Sequence, residues 1–323
     1  MRGLHAGLLA LVVASSLAGT AAAEQSHLVI VVGLGGEKKY ADAFHQMAVS
    51  MVGAAEKKLG LDPANIVYLG DKPADPALAV YRGRSTRESV RRTFTDLSRR
   101  AAPGDLVFIL LIGHGSSQSG ESRFNLAGPD MSASDFAPLL AGLAGQTVVF
   151  VNTASASGDF VKALSGKDRT IVTATKSALE RNQTVFARHF VAAFTEDGAD
   201  ADKDQRVSLL EAFEYARREV QRFYEEDRRL LTEHAVLEDN ADGAVARTVF
   251  LGTGGEDAAA AETDPALAAL QRERRAVERS LDALRTRKGT TAPAEYEKEL
   301  ERLLLELALK DEAIRRRAAE RGR

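Results

Sequence analysis

Short runs of consecutive apolar residues alternate along this chain with stretches in which apolar residues return every third or fourth position. His27 to Val32 (HLVIVV) is the first such run, and Gly33 ends it. From Tyr40 to Leu59, the residues Phe44, Met47, Met51 and Ala55 share one face of a helix. Asn65 to Gly70 predicts a second strand. Ser85 is placed to cap a helix through Arg100, with Glu88 three residues on as its capping-box partner. Leu106 to Ile112, Thr147 to Val151 and Thr170 to Thr173 predict further strands, and Thr248 to Leu251 a last one. Continuous apolar runs, as opposed to alternating ones, belong to strands covered on both faces. The pattern therefore predicts an α/β fold, a mostly parallel sheet between two helical layers.

The two ends of the chain depart from this rhythm. Arg2, an apolar stretch from Leu8 to Leu17, and the small residues Ala21, Ala22 and Ala23 read as a secretory signal peptide over 1–23. Its apolar core is too short for a stable membrane span of ~20 residues. The expectation is an exported protein, periplasmic or secreted, with no membrane span after cleavage. The α/β domain is expected over 24–254, a Gly/Ala/acidic linker over 255–263, and a helical hairpin over 264–323. Asp264 is placed to cap the first helix, with Pro265 at its first position. Leu267, Leu270, Val277, Leu281 and Leu284 keep a three-four spacing that Arg274 interrupts. After a turn from Gly289 to Pro293, the residues Tyr296, Leu300, Leu303, Leu307 and Ile314 repeat it. This predicts a charged, coiled-coil-like hairpin that either packs on its own domain or mediates protein contacts.

Composition narrows the chemistry. The 323 residues include no cysteine, which excludes disulfides, thiolate metal sites and lipidation at a cysteine. A formal net charge of −3 gives no reason to expect nucleic acid as a partner.

In parallel sheets, ligands and catalytic groups gather beyond the carboxyl ends of the strands. Gly33-Leu34-Gly35-Gly36 closes the first strand, but its spacing does not match the dinucleotide fingerprint, and a plain strand-to-helix turn accounts for it. Gly113-His114-Gly115 closes the most apolar strand. A histidine between two glycines, with backbone N–H groups beside it, suits a general acid/base next to an oxyanion site; it also suits an ordinary polar turn. The next strand ends in Asn152-Thr153-Ala154-Ser155-Ala156-Ser157-Gly158, where small side chains leave room for a nucleophile.

An apolar strand ending Gly-His-Gly, followed by a strand ending in small residues and Ser-Gly, resembles the caspase–legumain superfamily of cysteine peptidases. The resemblance covers roughly Glu24 to Gly254. It also takes in Phe124-Asn125-Leu126, Asp130, a helix from Ser132 to Leu140, and Thr173-Ala174-Thr175. It implies a caspase-like three-layer sandwich in which His114 is the catalytic histidine. Matching Ser157-Gly158 to the family's Ser-Gly pair puts Ala154 on the family's alanine and Ser155 on its cysteine. Gly115 and Ser155 would supply oxyanion N–H groups.

A serine hydroxyl is far less acidic than a thiol and needs a base in direct hydrogen-bond reach. The resemblance, with serine at the nucleophile's position, implies a peptidase-like domain that is catalytically silent and binds a peptide or protein in its cleft. The alternative is an active endopeptidase that uses Ser155 with His114. Arg181, Lys176 and Arg123 are candidates for shaping preference in the cleft.

One more segment carries potential chemistry. Asp200, Asp202, Asp204, Ser208 and Glu211 fall at the ligand positions of an EF-hand calcium loop, with Gln205 where that loop has glycine. Ser208 and Glu211 equally form a capping box for the following helix. Three alternating aspartates exceed what a cap needs, so Ca2+ is the one cofactor expected. Asp239, Asn240, Asp242 and Gly243 suit a polar turn better than an ion site. Asn182-Gln183-Thr184 is a glycosylation sequon. His189 and His234 lack metal-ligand spacing.

Overall fold

A computed structural model describes residues 25–71, 78–118, 120–252, 265–286 and 292–321. The expected signal peptide, the linker, the Asp264 cap and most of the turn from Gly289 lie outside the described residues. The elements in chain order are β1 (Ser26–Val32), α1 (Lys38–Lys57), β2 (Ile66–Gly70), β3 (Tyr81–Arg84), α2 (Arg87–Arg100) and β4 (Leu106–Ile112). Then come β5 (Gly115–Gln118), β6 (Glu121–Phe124), β7 (Met131–Ser132), α3 (Ala133–Ala141), β8 (Thr147–Asn152), α4 (Asp159–Leu164) and β9 (Arg169–Thr173). The chain continues through α5 (Phe186–Thr195), α6 (Leu209–Glu226), β10 (Val236–Glu238), α7 (Pro265–Thr286) and α8 (Pro293–Arg321).

A seven-stranded sheet runs in the order β10-β9-β8-β4-β1-β2-β3, and its pairings are parallel except β10 on β9. The apolar strands are continuous because each one feeds two cores. Leu28, Ile30, Phe108, Leu110, Val149 and Val151 face α1, α5 and α6. Their neighbours Val29, Val31, Val107, Ile109, Val148 and Phe150 face α2, α3 and α4. Each fully buried aliphatic or aromatic side chain contributes about 1.5–3 kcal/mol. A one-residue slip would exchange the two faces of a strand, so register is tightly specified.

The connections from β1 and β4 run in opposite directions across the sheet, since β1 leads to β2 and β4 leads on to β8 and β9. The crevice beyond the carboxyl ends of β1 and β4 is therefore the topological switch point, where α/β sheets bind ligands. A second, three-stranded sheet (β5-β6-β7) stands over this end of the molecule, and Gly115 opens its first strand.

Two expected details are corrected. The cap of α2 is Thr86, whose Oγ1 accepts the Ser89 N–H at 3.1 Å. Ser85 is fully buried, and its own N–H donates to the Gly70 carbonyl at 2.8 Å, so it belongs to the turn before the helix. Thr248 to Leu251 forms no strand beyond an isolated bridge between Phe250 and Ser208. The sheet edge is closed by Val236–Glu238, paired antiparallel to β9. Three residues are too few to leave a readable period, and Thr248 is held in a turn by its N–H to Val245. Within the hairpin, α7 and α8 share a core of Val277, Leu281, Leu284 and Leu303. No described helix is long and apolar enough to cross a membrane.

Candidate functional site

The ladder between β4 and β8 ends at the pair Leu111 and Asn152. The same length of chain carries one strand on to His114 and the other to Ser155, so parallel pairing alone brings these two turns together. The packing explains the residue types. A Cβ on Gly115 would lie 2.0 Å from the Ser155 carbonyl oxygen, so only glycine fits there. A Cβ on Gly158 would lie 2.2 Å from the backbone of Lys176 and Ser177. The Ser155 turn is thus wedged between the Gly115 backbone and the turn that follows β9.

Side-chain hydrogen bonds knit the floor. Thr153 Oγ1 donates to the Leu111 carbonyl at 2.8 Å, and Thr184 Oγ1 donates to the Thr153 carbonyl at 2.8 Å. Ser157 and Thr175 join the ends of β8 and β9, with the Ser157 N–H donating to Thr175 Oγ1 at 2.7 Å. Ala156 adopts a left-handed φ of 52° although it is not glycine. Its N–H donates to the Glu180 carbonyl at 2.7 Å. An alanine held in that region costs on the order of 1 kcal/mol, which the surrounding hydrogen bonds offset.

His114 is half-buried, and its ring meets Tyr40 edge-on at 4.8 Å and Phe44 at 5.0 Å. Burial lowers its pKa, while a backbone hydrogen bond at Gly35 and the charge of Glu37 pull the other way. Ser155 is buried, and its Oγ donates to the Gly115 carbonyl at 3.0 Å. The hydroxyl hydrogen is therefore given to a backbone carbonyl, which cannot act as a base. His114 and Ser155 line one cavity of ≈ 540 Å³, walled by Tyr40, Phe44 and Met47 on α1 and by Val185 and Arg188 at α5.

The aromatic wall was not legible as a site. Phe44 and Met47 stand at ordinary core spacing, and only packing shows that α1 leans over His114. Glu180 and His234 were likewise missed. His234 Nδ1 sits 2.6 Å from Glu180 Oε1, and the other Glu180 oxygen accepts the N–H groups of His234 and Lys176. This pair braces the loop that holds Ala156.

The acidic loop closes as its spacing predicts at three positions. Asp200, Asp202 and Asp204 each offer an oxygen within 4.8 Å of the others. Gln205 takes a φ of 69°, the left-handed conformation for which an EF-hand uses glycine. Of the other two predicted ligands, Glu211 Oε1 accepts the Ala201 and Asp202 N–H groups of the loop at 2.9 and 3.3 Å. Glu211 Oε2 accepts from the Ser208 N–H and hydroxyl at 2.9 and 2.8 Å, forming a capping box on α6. The carboxylates do hold a cationic group. Arg274 of α7 reaches Asp204 and Asp202, each at 2.8 Å. Asp239 is a turn anchor: buried, it accepts N–H groups from Ala241, Gly243, Val245 and Ala246. Burial pushes its carboxyl up, but these four donors outweigh that and hold it below its ordinary value.

The model of the Peptidase C13 family matches residues 98–235. That stretch runs from the last turn of α2 to the residue before β10 and contains both His114 and Ser155. Together with the sheet order, the match supports the caspase–legumain superfamily. No curated protein matches the chain.

Proposed function

We propose that this legumain-like peptidase homologue is exported and binds a peptide or protein segment in the cleft between α1 and α5 without cleaving it. The observation that carries this reading is the Ser155 hydrogen bond. Its Oγ donates to the Gly115 carbonyl, while the His114 ring is held between Tyr40 and Phe44. A serine nucleophile needs its base in direct reach, whereas a thiol supplies some thiolate unaided. The cleft itself is intact, with both glycines, the knitted floor and an apolar wall able to receive side chains.

The test is a mixed peptide library assayed with wild type, Ser155→Ala and Ser155→Cys. Wild type and Ser155→Ala should bind peptide and leave it intact, and Ser155→Cys should gain cleavage. Cleavage by wild type that vanishes in Ser155→Ala would establish the serine endopeptidase, with His114 as base, and end the silent reading.

For the acidic loop we propose that Ca2+ binds at Asp200, Asp202 and Asp204, with Ser208 and Glu211 joining only if the capping box opens. Carboxylate oxygens suit this hard cation. Asp202 and Asp204 would have to release Arg274 to receive it, so the ion and the arginine compete.

A further inference from the structure

Arg274 stands where the hairpin's own pattern calls for an apolar residue. It lies between Leu267, Leu270 and Val277, Leu281 in the three-four spacing, and it is 7% exposed. Such a position places a charge among core residues, and a buried ion pair is a poor way to gain stability compared with a well-packed leucine. Buried polar groups at core positions are instead known to fix register and partner.

The geometry shows what this one fixes. The three guanidinium nitrogens each donate to a different carboxylate. Nε donates to Asp311 Oδ1 of α8 at 2.5 Å, Nη1 to Asp204 Oδ2 at 2.8 Å, and Nη2 to Asp202 Oδ2 at 2.8 Å. Asp311 sets the orientation of the guanidinium within the hairpin. The other two bonds leave the hairpin altogether and enter the α/β body. Asp204 is itself buried and is shared with Arg206, whose Nη2 donates to it at 3.0 Å and whose guanidinium lies 3.8 Å over the Phe250 ring. A planar fork with fixed donor directions can satisfy three separated carboxylates, which a lysine ammonium on a flexible stem does not reproduce.

We propose that the loop Asp200–Asp204 is a guanidinium receptor whose ligand is the chain's own Arg274, and that this side chain latches the C-terminal hairpin onto the α/β body. The hairpin's leucine core, Val277, Leu281, Leu284 and Leu303, holds α7 to α8, while Arg274 holds the pair to the domain. Cohesion and docking are thus separable functions of different residues. The latch is independent of any chemistry at Ser155.

The absence of native cysteine makes the test direct. Spin labels at Gln221→Cys on α6 and Ser280→Cys on α7, both exposed, report the distance between body and hairpin in the full-length chain. The latched protein should give one narrow distribution. Arg274→Leu restores the apolar pattern, so helix content by circular dichroism should hold while the distribution broadens. The docked-to-undocked ratio should fall on the order of a hundredfold. Asp202→Asn combined with Asp204→Asn leaves every hairpin residue in place and should broaden the distribution in the same way. A narrow, unchanged distance in Arg274→Leu, or in the double asparagine variant, would overturn the latch.

Discussion

Gly115→Ala probes the contact on which the candidate site depends. The added Cβ would lie 2.0 Å from the Ser155 carbonyl oxygen, 3.1 Å from the Ala154 Cβ and 3.2 Å from the Arg123 carbonyl oxygen. The first of these is backbone, which no rotamer change can move aside. The turns after β4 and β8 must separate by roughly 1 Å or more, against two buried strands on a shared ladder. Overpacking of this kind costs about 1–3 kcal/mol, and the backbone obstruction argues for the upper end. Urea unfolding measures it. With a slope of a few kcal/mol per M, the midpoint should fall by about 1 M. Gly53→Ala is the control, since its Cβ meets nothing within 4 Å inside α1. That variant should gain about 0.5–1 kcal/mol from the lower entropy cost of alanine in a helix. If Gly115→Ala unfolds at the wild-type midpoint, or shifts upward like Gly53→Ala, the close approach of the two turns is wrong, and with it the reading of Gly-His-Gly as a packing requirement.

Two further outcomes follow from the electrostatics. Burial and the charges of Arg188 and Arg222 lower the His189 pKa from 6.5 to about 4, against a weaker opposing pull from Glu219, and Arg188 Nη2 donates to His189 Nε2 at 3.1 Å. The folded value lies below the unfolded one, so the unfolded chain binds the proton more tightly. The contribution is complete above pH 6.5 and is lost as pH falls toward 4; after discount for partial exposure it is about 1–2 kcal/mol. His189→Gln should therefore flatten the acid limb of stability in urea titrations between those pH values, and an unchanged limb would refute the assignment. Calcium at the acidic loop should raise the melting temperature and chelator should lower it, by about 2.7 kcal/mol of stability at a hundred times the dissociation constant. Because Arg274 competes for the same carboxylates, the calcium effect should be larger in Arg274→Leu. Melting curves that ignore calcium in both proteins would exclude the ion.

Much of the fold is legible along the chain because it rests on short-range rules. Strands buried on both faces must be continuously apolar, and that signal places β1, β4, β8 and β9 within a residue or two. Amphipathic spacing places α1 and the hairpin helices. Where two local options compete, spacing does not choose: Thr86 caps α2 although Ser85 has the better box partner, because Ser85 is drawn into the turn at Gly70. Strands of three or four residues, such as β3, β5 and β10, carry too little period to be seen.

Apolar runs and glycines along the chain place a Gly-His-Gly turn and a Ser155 turn at the ends of successive buried strands, because strand identity and chain order are local signals. The sequence also marks Arg274 as a break in the hairpin pattern, without a reason for it. It takes the packed molecule to show that Ser155 gives its hydrogen to the Gly115 carbonyl, that Tyr40 and Phe44 enclose His114, and that Arg274 enters the acidic loop. Those facts depend on which atoms far apart in the chain come within 3 to 5 Å, and no local propensity encodes the direction of a hydroxyl or the reach of a guanidinium.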